Sequence, residues 1–294
     1  MLLRLDRLRR ACRLRHPLLR ETLAELLGTT TLVFIGNSVI ANNVKNPLVA
    51  SVNVPLGYVS AVIISVFATG GVSGGHVNPA VTLALCLAGR CDLNRLLPFW
   101  GAQYLGGFLG ALLTHILFFD LIQTDPDRIN PAMYGIFATY PNDNISIGGA
   151  FSDQVLGTAI LVFGCMAISD KRNMNVPKPM LPVAVGIVLY GAISSSGSNT
   201  GAALNPARDF GPRIYSYMIG YQQVFSAGHC FWWIPVVACY IGGVLGAYVY
   251  LFCVELHHPV EDGQETMTIT SAATPVDRKK TAWENAAMEL EGNL

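Results

Sequence analysis

Six long stretches of the chain are rich in apolar residues and nearly free of charge. Each approaches the roughly 20 apolar residues that a helix needs to cross the hydrocarbon core of a bilayer. The pattern therefore predicts six membrane-spanning helices, at about residues 23–41, 55–75, 97–118, 150–169, 180–200 and 231–254.

Two shorter segments, at about 78–88 and 205–219, are interrupted by glycine, proline or charge. Lipid excludes short irregular segments unless protein surrounds them, so we predict two re-entrant half-helices. Each begins with an Asn-Pro-Ala tripeptide after a glycine-rich approach, which places proline at the first helical position and asparagine at the cap. The tripeptides are Asn78, Pro79 and Ala80, and Asn205, Pro206 and Ala207.

The first span of each half repeats one pattern, since residues 24–34 align with residues 153–163. Three spans in each half is an odd number, so the second half enters the membrane from the opposite side. An inverted repeat with broken helices places a site near the bilayer midplane, where the two half-helices meet. We therefore expect Asn78 and Asn205 to lie together there.

The aligned pair Glu25 and Gln154 lies inside otherwise apolar spans. An ionisable residue at this depth is costly and is expected to face a partner or a wet cavity. We expect both side chains to accept hydrogen bonds from backbone N–H groups of the loops that precede the half-helices. A third tripeptide, Asn130-Pro131-Ala132, has no repeat partner and follows charged residues, so it is predicted to have no function.

Composition and charge agree with a membrane protein. Of 294 residues, 52% are hydrophobic and only 13% are charged. In the predicted topology 15 of the 19 lysines and arginines fall on one side, and the positive-inside rule makes that side cytoplasmic, with both termini. We expect a basic N-terminal segment at 1–20, a channel domain at 21–257 and a disordered tail at 258–294. The repeats span about 21–118 and 150–257, joined by an extracellular loop at 119–149.

Two boxes, SGGHVNPAVTLA at 73–84 and GAALNPARDFGPR at 201–213, resemble the signatures of the aquaporin superfamily, over about residues 18–257. Asp209, Arg213, the GIFATYP run at 135–141, the WWIPV run at 232–236 and the long connection resemble its glycerol-conducting branch, the aquaglyceroporins. The resemblance implies an all-α, right-handed bundle of six helices and two half-helices, assembled as a homotetramer, normally in the plasma membrane.

The resemblance also implies a selectivity constriction, which falls on Tyr58, Ile193, Ala202 and Arg208 in this sequence. Only Tyr58 and Arg208 match the usual glycerol pattern, because relatives generally have glycine at position 193 and often an aromatic residue at position 202. The hydroxyl of Tyr58 is expected to make its part of the pore wall more polar. Arg208 offers a rigid fork of donors for neighbouring hydroxyls, and it is always charged, which deters cations. A structural ion pair between Arg208 and Asp209 is the alternative, which adjacent positions on a helix disfavour.

The predicted mechanism uses the amide donors of Asn78 and Asn205, which cap helices whose positive ends meet at the midplane. A solute oxygen held by both donors must aim its hydrogens away, which interrupts proton transfer. Carbonyls around these positions are expected to form an acceptor ladder, with His76 beside it in the vestibule: Gly74, Gly75, Gly201 and Ala202. Asn144 begins a glycosylation sequon.

The sequence thus predicts passive flux of glycerol, other small neutral solutes such as urea, and water, with protons and ions excluded. A water-selective channel is the alternative if Ile193 and Ala202 close the polyol path. A secondary transporter and a purely structural membrane protein are further alternatives. The motifs of common enzyme classes are missing from the sequence, and we expect no cofactor, metal or nucleic-acid partner.

Overall fold

The computed structural model describes residues 11–259, and the statements that follow concern that part of the chain. Within it, eight helices have nine residues or more. They are α1 (Pro17–Val44), α2 (Ala50–Ser73), α3 (Pro79–Leu87), α4 (Leu96–Leu117), α5 (Ile147–Ser169), α6 (Leu181–Thr200), α7 (Pro206–Met218) and α8 (Ile234–Cys253). The connections contain short helices at Phe119–Gln123, Pro131–Tyr134 and Ala227–Cys230, and 3₁₀ turns at Pro47–Val49, Leu93–Arg95, Lys178–Met180, Gln222–Phe225 and Phe231–Trp233.

Six of these helices, α1, α2, α4, α5, α6 and α8, are long and apolar enough to cross a membrane, which confirms the predicted number of spans. Helix α1 begins at Pro17, earlier than the apolar pattern indicates. Its first turns carry charge, and Glu21 pairs with Arg95 at 2.6 Å. Charged side chains are tolerated at this end of the helix because they are paired there.

Each half-helix packs mainly on a spanning helix of the other half of the chain. Helix α1 packs against α2 and α4, and α5 packs against α6 and α8. Half-helix α3, from the first half, packs mainly on α8, whereas α7, from the second half, packs mainly on α4. The two halves are therefore interlocked, and neither half-helix is surrounded by its own half alone.

Both half-helices begin with the same local structure. Helices α2 and α6 end at the left-handed residues Gly74 (φ 96°) and Gly201 (φ 77°), where glycine avoids the cost of a Cβ atom. The chain then reaches an asparagine whose side chain accepts a hydrogen bond from the second helical residue, Ala80 N–H at 2.9 Å and Ala207 N–H at 3.0 Å. Proline follows each asparagine and lacks only an N–H that would have no helical partner.

The structure also draws attention to a second sequence repeat. Residues 104–111 (YLGGFLGA) on α4 match residues 240–247 (YIGGVLGA) on α8. A Cβ atom at Gly107 would overlap with the backbone carbonyl of Ala207, and one at Gly243 would lie 2.9 Å from the Ala80 oxygen. These glycines therefore let each half-helix lie directly against a spanning helix of the other half. The repeated octapeptide was a signal of this contact that sequence analysis had not used.

We predict that Gly107→Ala destabilises the protein by about 1–3 kcal/mol, because the added methyl group meets backbone that cannot move aside as a flexible side chain would. Gly101→Ala on the same helix is the matched control, since a Cβ atom there has no neighbour within 4 Å. That control should be neutral or slightly stabilising, as alanine favours a helix. Thermal unfolding of the two purified variants tests the difference, and equal melting temperatures would contradict it.

Candidate functional site

The two capping asparagines are joined to each other's loops by a symmetric pair of hydrogen bonds. The Asn78 amide nitrogen donates to the Leu204 carbonyl at 2.8 Å, and the Asn205 amide nitrogen donates to the Val77 carbonyl at 2.8 Å. Each acceptor is the residue directly before the other asparagine. The contact brings residues 126 and 128 positions apart together at the centre of the bundle.

Each asparagine keeps one donor free after these contacts. A side-chain amide carries two N–H hydrogens, and the facing carbonyl takes one. The amide oxygens are occupied by helix capping, on Ala80 N–H and on the N–H groups of Ala207 and Arg208. Both asparagines line the same cavity. The remaining N–H of each is therefore the group available to a solute in that cavity.

Glu25 fixes the loop before Asn78. Its carboxylate accepts hydrogen bonds from the N–H groups of His76 at 2.9 Å and Val77 at 2.7 Å. It also accepts from the Ser73 hydroxyl at 2.6 Å and the Gln103 amide at 2.8 Å. The side chain is fully buried, so these four donors compensate a charge that would otherwise be very costly at this depth.

Gln154 makes the equivalent contact in the second half. Its oxygen accepts from the Leu204 N–H at 3.2 Å, and its nitrogen donates to the Thr200 hydroxyl at 2.6 Å. Thr200 in turn donates to Asp153, which also accepts from the Asn199 amide at 2.8 Å. The second half thus also contains a carboxylate, that of Asp153, one residue before Gln154. Hydrogen bonds through Thr200 and the Gln154 amide connect this carboxylate to the loop.

The loops themselves carry strain that their sequence does not suggest. Val77 (φ 44°), Ala202 (φ 47°) and Leu204 (φ 51°) have left-handed backbone, which is uncommon for residues other than glycine and a genuine outlier for a β-branched one. The hydrogen bonds from Val77 N–H to Glu25 and from Leu204 N–H to Gln154 hold two of these positions. Only tertiary contacts compensate such strain, so sequence patterns miss it.

A cavity of about 570 Å³ runs along the loops and is lined mostly by apolar side chains. One end lies where α5 ends and α6 begins, beside Ser169, Lys178 and Leu181. We call this end of the bundle the basic face, because it also carries the loops with Arg90 and Arg172. From there the cavity continues past Asn78 and Asn205 to Arg208.

All four predicted constriction residues line this cavity: Tyr58, Ile193, Ala202 and Arg208. The Arg208 guanidinium carbon lies 4.7 Å over the Tyr58 ring, a cation–π contact. Arg208 is buried, and its Nη1 atom has no hydrogen-bond partner in the described structure. A buried guanidinium N–H without a partner is a donor available to a polar solute.

The remaining vestibule residues occupy different positions. Gly74, Gly75 and His76 line the cavity near the basic face, and the His76 ring is 3.2 Å from the Thr82 hydroxyl. Gly201 lies outside this cavity, is exposed, and packs against Thr139. The Tyr58 hydroxyl, predicted from sequence to make the pore wall more polar, instead donates to the Asn37 oxygen at 2.9 Å.

Asp209 does not pair with Arg208. Its carboxylate binds the Arg213 guanidinium at 2.8 Å, one helical turn later, and accepts from the N–H and hydroxyl of Thr139 at 2.8 and 2.6 Å. Arg213 also donates to the carbonyls of Thr139 and Val224. This fully buried pair therefore ties α7 to the 135–141 run and to the 3₁₀ turn Gln222–Phe225, and it leaves Arg208 free.

An aromatic ring packs against this buried ion pair. The Arg213 guanidinium carbon lies 4.6 Å over the Tyr140 ring, and burial raises the pKa of the Tyr140 hydroxyl in the connecting loop. The pair and the ring form one cluster beside the Arg208 end of the cavity, because Asp209 directly follows Arg208 in the chain. Its residues lie in two separate parts of the sequence, and the only signal for them was the resemblance of Asp209, Arg213 and the 135–141 run to a family signature.

Two asparagines lie away from the cavity. Asn130 caps the four-residue helix Pro131–Tyr134 and accepts from Ala132 N–H at 3.0 Å, so the third tripeptide is an exposed turn. Asn144 is exposed in the connection before α5, and Ser146 of its sequon caps that helix through Gly149 N–H at 3.0 Å.

Comparison with known proteins gives a consistent result. The Major intrinsic protein family model matches residues 13–250. The chain is 40% identical over 257 residues to Aquaporin-9 from Homo sapiens, covering 85% of this chain and 87% of that protein. It is 37% identical over 281 residues to human Aquaporin-10, covering 92% and 93%.

A solved structure matches the fold as well. The X-ray structure of the aquaglyceroporin from Plasmodium falciparum aligns with a TM-score of 0.74 and 29% identity, covering 79% of this chain and 95% of that one. The all-helical architecture is therefore that of an aquaporin, and the protein is an integral membrane protein. The chain belongs to the major intrinsic protein family, whose members are passive transmembrane channels for water and small solutes and not enzymes.

Proposed function

We propose that the protein conducts glycerol, other small neutral solutes such as urea, and water, and that it excludes protons and ions. The observation that carries this proposal is the combination of hydrogen-bond donors and apolar side chains that line the cavity. The free N–H groups of Asn78 and Asn205 and the unpaired Nη1 of Arg208 belong to residues that line one cavity with a largely apolar wall. A polyol needs hydroxyl partners on one side and an apolar surface for its carbons on the other.

Exclusion of protons follows from the two asparagines. Both are pure donors toward the cavity, because their oxygens are used in capping. A water or polyol oxygen that accepts from both must point its own hydrogens outward, so a chain of hydrogen bonds cannot run through in one direction. Cations also meet the positive ends of α3 and α7.

Ile193 belongs to the apolar part of the cavity wall. Ile193 packs between two hydrophobic clusters, one with Tyr58 and Val77 and one with Ala202 and Leu204. Compared with the usual glycerol pattern, isoleucine at position 193 adds bulk beside the path, whereas alanine at position 202 removes it. The aperture is therefore reshaped rather than simply closed. Asp209 and Arg213 support the glycerol assignment through their resemblance to the glycerol-conducting branch, and they form one buried ion pair.

Stopped-flow light scattering on proteoliposomes tests the proposal. We expect vesicles with the protein to shrink in hyperosmotic sucrose faster than empty vesicles, and to re-swell in an inward glycerol gradient. Flux should be set by the solute gradient and unchanged by an imposed proton gradient. Glycerol flux that followed the proton gradient would instead support a secondary transporter, and no water or solute flux would support a structural protein.

A water-selective channel is the second candidate, and Ile193 is the residue that favours it. We predict that Ile193→Gly raises glycerol permeability by about tenfold, because a smaller side chain widens the aperture. Water permeability should change less, since water already fits. Val188→Ala on the same helix serves as a control, because Val188 does not line the cavity. Unchanged glycerol permeability in Ile193→Gly would remove Ile193 from the constriction.

The wider organisation is also part of the proposal. We place the basic face and both termini in the cytoplasm, the 119–149 connection outside, and the channel domain at 21–257 in the plasma membrane as a homotetramer. Residues 1–10 and 260–294, which include half of the predicted N-terminal segment and most of the predicted tail, lie outside the described residues. The exposure of Asn144 supports its use as a glycosylation site, which a mobility shift on glycosidase treatment tests.

A further inference from the structure

We infer that Gly36 and Asn37, two residues of α1 behind the pore wall, set the aperture of the channel by seating the Tyr58 ring. Neither residue is among those that line the cavity, whereas Tyr58 is. They are positioning residues, because they act on the passing solute only through Tyr58. The inference deepens the proposed function and rests on it, because it concerns how the proposed channel selects between solutes.

Gly36 provides the space that the ring occupies. A Cβ atom at this position would overlap with two atoms of the Tyr58 ring, Cε1 and Cζ, and would lie 2.8 Å from Cδ1. Real Cβ atoms do not approach aromatic carbons this closely, so even alanine at position 36 requires the ring to move. Gly36 is buried in the interior of α1, where glycine has a helix cost and therefore needs a packing reason.

Asn37 fixes the other end of the side chain. The Tyr58 hydroxyl donates to the Asn37 oxygen at 2.9 Å, and Asn37 is fully buried. The bond directs the hydroxyl into the protein, away from the solute path. It also satisfies a phenol that would otherwise be buried without a partner, which costs free energy. The ring is thus held at two points, by the space at Gly36 and by the hydrogen bond to the adjacent Asn37.

The seat matters because the ring faces Arg208 on the solute path. The guanidinium carbon lies 4.7 Å over the ring, and Ile193 packs against the cluster that contains Tyr58. A ring displaced from α1 has to move toward the cavity that it lines, because α1 closes the other direction. A small displacement of the ring narrows the path, and the narrower path lowers the permeability of a polyol far more than that of water.

The experiment compares Gly36→Ala with wild type by stopped-flow measurement of glycerol and water permeability in proteoliposomes. We expect glycerol permeability to fall about tenfold, which corresponds to a barrier raised by about 1.4 kcal/mol. Water permeability should fall no more than about twofold, because a water molecule is smaller than the remaining aperture. Gly101→Ala, which has open space around the new methyl group, should leave both values unchanged.

A second comparison separates positioning from general damage. In a Tyr58→Ala background the ring is gone, so Gly36→Ala should no longer alter the ratio of glycerol to water permeability. The same loss in that background would overturn the inference, and so would an unchanged ratio in Gly36→Ala itself. If wild type conducts water but no glycerol, the proposed selectivity fails, whereas a Tyr58-dependent fall in water permeability would still support the seat.

The role of Asn37 is tested with variants that keep Gly36, so any effect of the Gly36→Ala change on folding does not enter. Asn37→Leu and Tyr58→Phe each remove the same hydrogen bond, so we expect each to lower the glycerol-to-water ratio, and the double variant to lower it no further. Two effects that add would show that Asn37 acts by a route other than the Tyr58 hydroxyl, and would overturn its part in the seat.

Discussion

Replacing Glu25 with leucine is expected to abolish conduction and to prevent the protein from reaching its native fold in most molecules. The substitution leaves four donors without their acceptor, on Ser73, His76, Val77 and Gln103. Each unsatisfied buried donor costs about 1–3 kcal/mol, so the total loss is at least about 4 kcal/mol, a large part of the stability of an ordinary domain.

The graded variants make this expectation specific. Glu25→Gln keeps one acceptor oxygen but turns an N–H toward donors on Val77 and Gln103, so it should retain only part of the stability. Gln154→Leu removes the side-chain acceptor of one backbone N–H, that of Leu204, and should cost less than Glu25→Leu. Glu21→Gln is the control, because that carboxylate pairs with Arg95 at the end of α1. Detergent-solubilised melting curves and water permeability measure the series.

A leucine at position 25 with normal melting temperature and normal water flux would contradict this view of the loop. It would mean that the strained backbone at Val77 holds its conformation without the carboxylate. The contacts of Asn205 with the Val77 carbonyl would then be the main restraint on that loop.

Replacing Asp209 with alanine is expected to destabilise the protein by about 3–5 kcal/mol, since it leaves the buried Arg213 charge without its partner. Both side chains are fully buried, so water cannot replace the lost carboxylate. The same change removes the acceptor for Thr139, which holds the 135–141 run against α7. We expect lower yield, a lower melting temperature and loss of flux.

Two comparisons test whether the buried charge is the cause. Asp209→Leu combined with Arg213→Leu removes both charges and should recover part of the stability lost in Asp209→Ala. Asp92→Ala breaks an exposed pair with Arg95 and should cost at most about 1 kcal/mol. If Asp209→Ala proved as mild as Asp92→Ala, the buried pair would not anchor the outer loops.

Much of this fold was predictable because its main signals are local. Apolar length indicates a span, and an Asn-Pro pair after glycine indicates a capped half-helix. The structure contains six long apolar helices and two half-helices that begin at Pro79 and Pro206. The hydrogen bonds expected from loop N–H groups to Glu25 and Gln154 are also present. Asn130 has the same tripeptide but caps only an exposed turn.

Other features of the site had no local signal. Sequence adjacency made Asp209 a conceivable partner of Arg208, but the helix turns Asp209 toward Arg213 and Thr139. Tyr58 was predicted to contribute a polar hydroxyl to the pore wall, but Asn37 accepts that hydroxyl. Left-handed backbone at Val77 and Leu204 follows from tertiary hydrogen bonds, which residue type does not reveal.

The sequence by itself determined the spans, the inverted repeat and the two asparagines that begin its half-helices, because length, hydropathy and helix capping act over a few neighbouring residues. Only the tertiary structure decided that each half-helix packs on the other half, that Arg208 stays unpaired, and that Gly36 and Asn37 hold Tyr58. Those outcomes depend on contacts between residues distant in sequence, where space and hydrogen-bond partners are settled by packing.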